Sequence, residues 1–295
     1  MESTVTAGTT RIALSPRAVL PLALAGILFL LLFGGPLQWL ARDWWNDPEA
    51  GHGLLLFPVA VWLAWRAGIV AEPRPARVMG ALCLAGAVLL RYASGLAAEI
   101  FTTRLSALGA LIGLILFWLG WRQVKEWGLP LLLLGLSIPL PSLITTTLAV
   151  PLQFKASAMG AALLEWRHVP VRLTGNVILL PGHRLFVSEA CSGLRSLTAL
   201  LSLGVLIAGL WLKLPVTRVA LVLLAIPVAI VINAFRVFLT GFLVFFVSPE
   251  MGEGFMHLTE GWLMFVVAFG ILGGIAWGLT RGESWWRRRK EAARV

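Results

Sequence analysis

Apolar runs long enough to cross a lipid bilayer recur along the whole chain, and they restrict its fold more than any other feature. A membrane-spanning helix needs roughly 20 consecutive, mainly apolar residues. A chain with 59% hydrophobic and 13% charged residues is also far outside the usual balance of a soluble domain. We therefore predict an all-α polytopic membrane protein of about eight spans, at residues 19–40, 54–71, 78–97, 105–121, 127–148, 193–212, 216–247 and 258–280.

The two ends of the chain are predicted to be tails of a single transmembrane domain that covers residues 1–295. The first apolar run is longer than a signal-peptide core and lacks a small-residue cleavage pattern, which indicates an uncleaved first helix. The tails cover 1–17 and 281–295, and the second carries the basic cluster 287–290 after two tryptophans. Such a cluster anchors a helix at the cytoplasmic surface and explains the net charge of +10 better than nucleic-acid binding does. The expected partners of these side chains are membrane lipids, and no nucleic acid is expected.

Basic residues alternate between the ends of the predicted helices and indicate the orientation of the chain. Lys and Arg favour cytoplasmic loops. The helix ends assigned to the cytoplasm carry Arg11, Arg17, Arg66, Arg74, Arg77, Arg122, Lys125, Lys213 and Arg218. The opposite ends carry Asp43, Asp47, Glu49, Glu99, Glu250, Glu253 and Glu260. We predict a protein of the inner (cytoplasmic) membrane with both termini in the cytoplasm, as an even number of spans requires.

Residues 149–190 interrupt the apolar pattern. Their mixture of charged and apolar side chains cannot lie exposed in hydrocarbon, so the segment is predicted to lie at the outer, periplasmic surface of the membrane. Beyond Pro170, alternating polarity around two glycine-containing turns predicts two or three short strands. The preceding stretch suits an amphipathic helix in the plane of the interface, with Leu148, Leu152, Met159 and Leu163 on its apolar face and Lys155 and Ser157 elsewhere.

The stretch SEACSGLRSL, residues 188–197, places a thiol where a strand gives way to a helix. A helix that begins near Ser192 would favour the thiolate form of Cys191 through its free amide groups and its dipole. The amides of Ser192 and Gly193 are also candidates for binding an oxyanion. Arg195 lies one helical turn after the thiol and Glu189 two residues before it, and both are candidate supporting residues. The alternative is that Cys191 is a small buried apolar side chain.

The second cysteine, Cys83, lies in the run ALCLAGAVLL without a polar neighbour, which indicates a packing role. Two cysteines are too few for a disulfide framework and lack the spacing of a zinc or iron–sulfur site. The sequence contains no HExxH helix, no GxSxG turn and no phosphate-binding glycine loop. We expect neither a metal nor a cofactor.

Two ionisable residues are predicted in the outer half of the membrane, on two further helices. Arg236 lies inside a long apolar helix with Asn233 three residues before it, and an ionisable residue at such depth is a functional candidate. His257 begins the last span. A thiol, an arginine and a histidine form the minimum set for acyl transfer: a nucleophile, an oxyanion stabiliser and a proton carrier. The alternatives are an arginine that only orients helices and a solvated interfacial histidine.

His52, at the outer start of the second predicted helix, either lines the same cavity or caps its helix. His168 and His183, in the interfacial segment, are expected to face solvent.

Several of these stretches together resemble the exosortase and archaeosortase family of polytopic membrane transpeptidases. The resemblance rests on GHGLLLFPVAVWLAWR, on EACSGLRSL with the basic segment before it, on NAFRVFL and on GFMHLTEGW, and it covers roughly Asp43 to Trp277. It implies that Cys191, Arg236 and His257 are catalytic. It also implies exported substrate proteins that carry a short C-terminal motif such as Pro-Glu-Pro, then one transmembrane helix, then a basic tail.

The implied chemistry is cleavage of this signal through a thioester on Cys191. Water as acceptor would make the enzyme a protease, and an amine on a lipid or glycan carrier would make it a transpeptidase. The alternative function is a transporter or lipid-carrier channel in which Arg236 and His257 line an anion pathway and Cys191 is structural.

Overall fold

A computed structural model of the protein describes residues 16–47, 50–186, 193–252 and 254–292. The chain divides into two compact units, one up to Pro139 and one from Leu140 onward. The first unit contains helices α1 Pro16–Asn46, α2 Gly53–Ala67, α3 Arg77–Leu96, α4 Ile100–Trp118, α5 Trp121–Glu126 and α6 Gly128–Leu136. The second contains α7 Ser142–Trp166, strands β1 Arg172–Thr174, β2 Val177–Leu180 and β3 His183–Phe186, helices α8 Gly193–Trp211, α9 Pro215–Phe246 and α10 Gly254–Ala292, and a 3-10 turn Pro249–Gly252.

Helices dominate the described residues, and many of them are long and apolar enough to cross a membrane. Five meet this criterion by length and composition: Leu20–Asn46, Arg77–Leu96, Ile100–Trp118, Pro215–Phe246 and Leu263–Ala292. Two shorter apolar helices, Gly53–Ala67 and Leu197–Trp211, accompany them. The prediction of an all-α, multi-pass membrane fold with a short β segment is confirmed, while the count of eight spans stays a prediction.

The predicted span at 127–148 is not one helix, and this boundary was wrong. Helix α6 ends at Leu136, and α7 begins at Ser142. Pro139 and Pro141 cause the break, because a proline lacks an amide donor and disfavours helical geometry at the residue before it. The interfacial helix predicted from Leu148 onward is consequently the second part of the longer helix α7.

Close backbone contact joins α3 and α4 in the first unit. A methyl group added to Gly80 would lie 2.5 Å from the amide nitrogen of Phe117, and one added to Gly113 would lie 3.0 Å from that of Leu84. Small residues at such positions let transmembrane helices approach closely. The Sγ of Cys83 donates a hydrogen bond to the carbonyl oxygen of Gly109 at 3.3 Å, which agrees with the packing role predicted for this cysteine.

Polar contacts fasten the predicted outer ends of α1 and α4. The Nη2 of Arg104, a buried residue of α4, lies 2.5 Å from Oδ2 of Asp43 near the end of α1. Glu99 caps α4, because its carboxylate oxygens accept hydrogen bonds from the amides of Phe101 at 3.0 Å and Thr102 at 2.6 Å. An acceptor at this position satisfies helix amides that have no partner within the helix.

Helices α8, α9 and α10 share one apolar core in the second unit. It contains Leu197 and Leu200 of α8, Ala229 and Ile232 of α9, and Met264 of α10, among others. Where α8 ends and α9 begins, Oε1 of the buried Glu283 of α10 accepts a hydrogen bond from the amide of Leu214 at 3.0 Å. The side chain also accepts from the amide of Lys213 and the hydroxyl of Thr217, so α10 caps the start of α9.

A second core joins α7, the sheet and the other side of α9. The three strands are antiparallel in the order β1-β2-β3, which confirms the short β segment predicted from alternating polarity. Gly175 and Gly182 occupy its two turns with φ of 64° and 78°, a backbone conformation that glycine adopts without steric cost. The core consists of Ala161, Leu164, Val169, Ile178, Leu180, Leu185, Val237 and Val244.

Helix α7 buries one face against the protein and exposes the other. Ser157 is fully buried, and its hydroxyl donates to the carbonyl oxygen of Gln153 at 2.7 Å, whereas Met159 is 40% exposed. The buried side of α7 contains the small residues Ala156, Ser157, Gly160 and Ala161 together with Leu164, and the small residues let α7 pack closely on α9.

Candidate functional site

A stripe of three polar side chains runs along the second half of α9, among apolar residues. Asn233, Arg236 and Thr240 are separated by three and four residues, so they lie on one face over two turns. Asn233 and Thr240 are buried, and Arg236 is partly buried. The hydroxyl of Thr240 donates to the carbonyl oxygen of Arg236 at 3.0 Å. Sequence analysis named the first two residues and missed Thr240, although its spacing from Arg236 was visible.

The stripe faces the interior of the second unit. Four phenylalanines at helical spacing form a ladder on the other side of α9, with ring centroids 4.6–5.8 Å apart. The ladder contains Phe235, Phe238, Phe242 and Phe246, and its first and last members are exposed. The ladder therefore lies opposite the polar groups, with Phe238 and Phe242 packed against the second core, and the polar groups lie between the two apolar cores.

Close packing of α7 holds this part of α9 in place. A methyl group added to Gly160 would lie 2.6 Å from Cγ1 of Val237, the residue that follows Arg236. One added to Gly241 would lie 2.8 Å from Cδ1 of Leu164. Two glycines, one on each helix, thus allow the backbones to approach at two successive turns beside the polar stripe.

The start of α8 lies at a similar height to Arg236. Helices α8 and α9 are joined by three residues, 212–214, as in an antiparallel hairpin. Leu197 of α8 and Ile232 of α9 belong to the same apolar core. Gly193 lies one turn before Leu197, Arg236 lies one turn after Ile232, and each turn rises about 5–6 Å in the same direction. In such a hairpin these positions place the first turn of α8 near the height of the arginine.

The last helix begins at the same end of this bundle. Met264 of α10 belongs to the core shared with α8 and α9, and His257 lies two turns before it, within the first helical turn. Because α10 follows α9 through the short stretch 247–253, its first turns lie beside the last turns of α9. The fold therefore gathers three helix segments at one end: the start of α8, the polar stripe of α9 and the start of α10.

Several predicted site residues lie outside what the structure describes. Glu189, Cys191 and Ser192 are outside the described residues. Gly193 is the first residue of α8 and Arg195 lies in its first turn, which agrees with the helix start predicted near residue 192. The roles assigned to these residues stay predictions.

His52 lies in the first unit, immediately before α2. Its Nε2 is 3.1 Å from the carbonyl oxygen of Leu136, the last residue of α6. Nearby, Nε1 of Trp44 donates to the carbonyl oxygen of Ser137 at 2.8 Å. The two rings thus contact successive carbonyl groups where α6 ends. The His52 contact lies at the end of α6 and not at the start of α2, the helix that it was expected to cap, and the cavity-lining role stays a prediction.

The second unit therefore carries, on neighbouring helix segments, residue types that suit the predicted acyl-transfer site. A helix start supplies amide donors, a guanidinium lies at the same height, and a histidine lies in the first turn of the adjacent helix. Within the described ranges, no three His, Cys, Asp or Glu residues are grouped in a way that would hold a metal ion.

Comparison with known protein families decides the relationship of this chain. The model of the transmembrane exosortase family (Exosortase_EpsH) matches residues 44–274. The chain belongs to the transmembrane exosortase family. The match begins at the end of α1 and ends within α10, so it includes both units and every candidate site residue of this exosortase. Neither the curated proteins nor the solved structures contained a match to the chain.

Proposed function

We propose that this exosortase is a cysteine protease or transpeptidase that cleaves the C-terminal sorting signals of exported proteins. The observation that best supports the proposal is the position of Arg236 along α9. This partly buried arginine lies near the height at which α8 begins, and α8 begins two residues after Cys191 in the sequence. Membership of the exosortase family supports the same activity.

In the first half of the proposed reaction, the Sγ thiolate of Cys191 attacks the carbonyl carbon of the scissile peptide bond. The oxygen of the resulting tetrahedral intermediate carries negative charge, which the guanidinium of Arg236 and the amides of Ser192 and Gly193 stabilise. The carbon–nitrogen bond then breaks, and His257 protonates the leaving amine. The products are a thioester on Cys191 and a free fragment with a new amino end.

In the second half, an acceptor attacks the thioester and releases the thiolate. His257, now neutral, accepts a proton from the acceptor as the bond forms. Water yields a free carboxylate, and an amine on a lipid or glycan yields a new amide. Arg195 and Glu189 support the thiolate, and Asn233 orients the arginine.

The proposed substrate is an exported protein that ends in a short motif, a transmembrane helix and a basic tail. Its helix would lie among those of the enzyme and present the motif, such as Pro-Glu-Pro, at the outer leaflet. The active site then faces the periplasm, and both termini face the cytoplasm, as the alternation of basic and acidic residues supports. Membrane lipids surround the enzyme in the inner membrane.

Co-expression with a protein that carries such a signal tests the proposal. Wild-type enzyme should shorten the substrate, Cys191→Ala should abolish shortening, and Cys83→Ala should leave it nearly unchanged. Cys83 is a matched control because it is a thiol in the membrane region, on α3, whose Sγ donates a hydrogen bond to the carbonyl oxygen of Gly109 on α4.

A thiol-directed probe separates the proposal from a transport function. The probe should label Cys191 rapidly, and the labelled enzyme should no longer cleave substrate. Processing by well-folded Cys191→Ala, or equal loss in both cysteine variants, would contradict nucleophilic catalysis and favour an anion pathway lined by Arg236 and His257.

A further inference from the structure

The three-stranded sheet has one buried and one open face. Ile178 of β2 pairs with Leu185 of β3, and both are buried in the core that α7 and α9 complete. Because side chains alternate along a strand, Leu179 and Arg184 belong to the opposite face. That face is solvent-accessible, since Arg184 and Phe186 are exposed.

Two arginines lie in register across the open face. Arg172 of β1 pairs with Leu179 of β2, which in turn pairs with Arg184 of β3. Neighbouring strands are about 4.8 Å apart, so the two arginine Cα atoms lie about 10 Å apart with one leucine between them. Both arginines are exposed. We call these three residues the arginine row.

The sheet and its turns carry only basic charges. The stretch 166–188, which contains the whole sheet, includes three arginines and two histidines but no aspartate or glutamate. An anion that approaches this face therefore meets no repelling carboxylate from the sheet or its turns.

Helix α7, which leads into the sheet, exposes apolar side chains that are suited to contact with lipid. Along α7, Phe154 is 47% exposed, Met159 is 40% exposed and Trp166 at the end of the helix is 72% exposed. The guanidinium of Arg167 lies 6.0 Å from the Trp166 ring. A helix that exposes apolar side chains and ends in a tryptophan followed by an arginine is typical of one that passes from hydrocarbon into the headgroup region.

We propose that the arginine row binds the phosphate of an anionic phospholipid at the membrane surface. Guanidinium groups present planar pairs of donors that match phosphate oxygens, and two of them reach one headgroup from either side. Leu179 between them contacts the glycerol and upper acyl carbons. The charge of the face complements an anionic lipid better than a zwitterionic one, whose own cation would meet the arginines. This binding is independent of the proposed peptide cleavage.

Titration of the full-length protein in neutral detergent with phosphatidylglycerol, followed by native mass spectrometry, tests the proposal. Wild type should retain at least one phosphatidylglycerol more tightly than phosphatidylcholine. The double variant Arg172→Gln, Arg184→Gln should bind that lipid about thirtyfold more weakly, since each basic residue near an anionic surface strengthens binding about fivefold. Leu179→Glu, which keeps both arginines but adds a competing carboxylate, should cause a comparable loss and covers the case in which the double variant fails to fold.

The matched control removes two other exposed arginines, Arg74→Gln and Arg77→Gln, which precede and begin α3. It should keep the tightly held lipid. Equal loss in the control, or equal binding of both lipids by wild type, would show that the row has no special affinity and would overturn the proposal. A hexaglutamate peptide provides a further arm. If it binds wild type more tightly than phosphatidylglycerol does, and only the row variants lose it, the face docks an acidic protein segment instead.

Discussion

The α carbon of Gly160 lies so close to Val237 that a methyl group there would be 2.6 Å from Cγ1 of the valine. The contact joins α7 to the part of α9 that carries Arg236. The same methyl group would lie 3.2 Å from the carbonyl oxygen of Ala234 on α9. Any side chain at position 160 must therefore push the two helices apart or rotate a stiff, β-branched neighbour.

Gly160→Ala should destabilise the protein by about 1–3 kcal/mol, the usual range for overpacking a filled interior. It should also lower substrate processing, because α9 has to shift. Thermal unfolding in detergent and the co-expression assay measure the two effects. Gly270→Ala is the control, since nothing lies within 4 Å of a methyl group there. Equal stability of the two variants would show that the α7–α9 contact relaxes without cost.

Arg236→Lys should lower processing strongly although it keeps the positive charge. A lysine loses the planar fork with which a guanidinium holds an oxyanion. Arg281→Lys on α10, where the side chain is exposed and lies over the ring of Trp277, should process substrate normally. Full activity of Arg236→Lys would assign Arg236 a general electrostatic role instead.

His257→Ala should leave uncut substrate and little covalent adduct. An amine leaving group needs a proton at the acylation barrier, and a dry site offers few other donors. Gel analysis with and without hydroxylamine detects a thioester between Cys191 and the substrate. If a hydroxylamine-sensitive band dominates in His257→Ala and disappears when Cys191 is also replaced, the histidine acts in deacylation alone.

Glu283→Ala should lower the free energy of unfolding by about 1–2 kcal/mol, because the first amides of α9 lose an acceptor supplied by another helix. The side chain accepts from the amides of Lys213 and Leu214, and it is 5% exposed. Glu291→Ala, an exposed residue near the end of the same helix, should unfold at the wild-type temperature. Similar midpoints for both variants would mean that water replaces the carboxylate without loss.

Glu99 should make stability depend on pH. Hydrogen bonds from the Thr102 side chain and amide and from the Phe101 amide lower the pKa of the Glu99 carboxyl group. A lowered folded-state pKa stabilises the fold above the unfolded-state pKa, about 4.3, and this contribution is lost as pH falls through the folded-state value. Wild type should therefore exceed Glu99→Gln in unfolding temperature at pH 7, and the difference should shrink at pH 3. For Glu72→Gln, a change at an exposed loop residue, no such difference is expected; a constant offset for Glu99→Gln at both pH values would contradict ionic capping.

Local signals in the sequence were sufficient to predict most of the helices and the short strands. Apolar runs of membrane length predicted the helices, and alternation around Gly175 and Gly182 predicted the strands. These features depend on residues close together in the chain, through hydrogen-bond satisfaction in lipid and through the backbone freedom of glycine. The break before α7 was equally local. Pro139 and Pro141 indicate it, although the continuous apolar stretch around them predicted a single span.

Contacts between distant residues were decided only by the tertiary structure. Nothing near Glu283 in the sequence indicates that it caps a helix that begins at Pro215, and nothing near Arg104 indicates its pairing with Asp43. The sequence by itself determined that Arg236 is an ionisable residue in an apolar helix. The packing of α7 on one side of α9, and of α8 and α10 on the other, decided that its stripe faces inward, level with the start of α8, because a helix face acquires a direction only when its neighbours cover the rest.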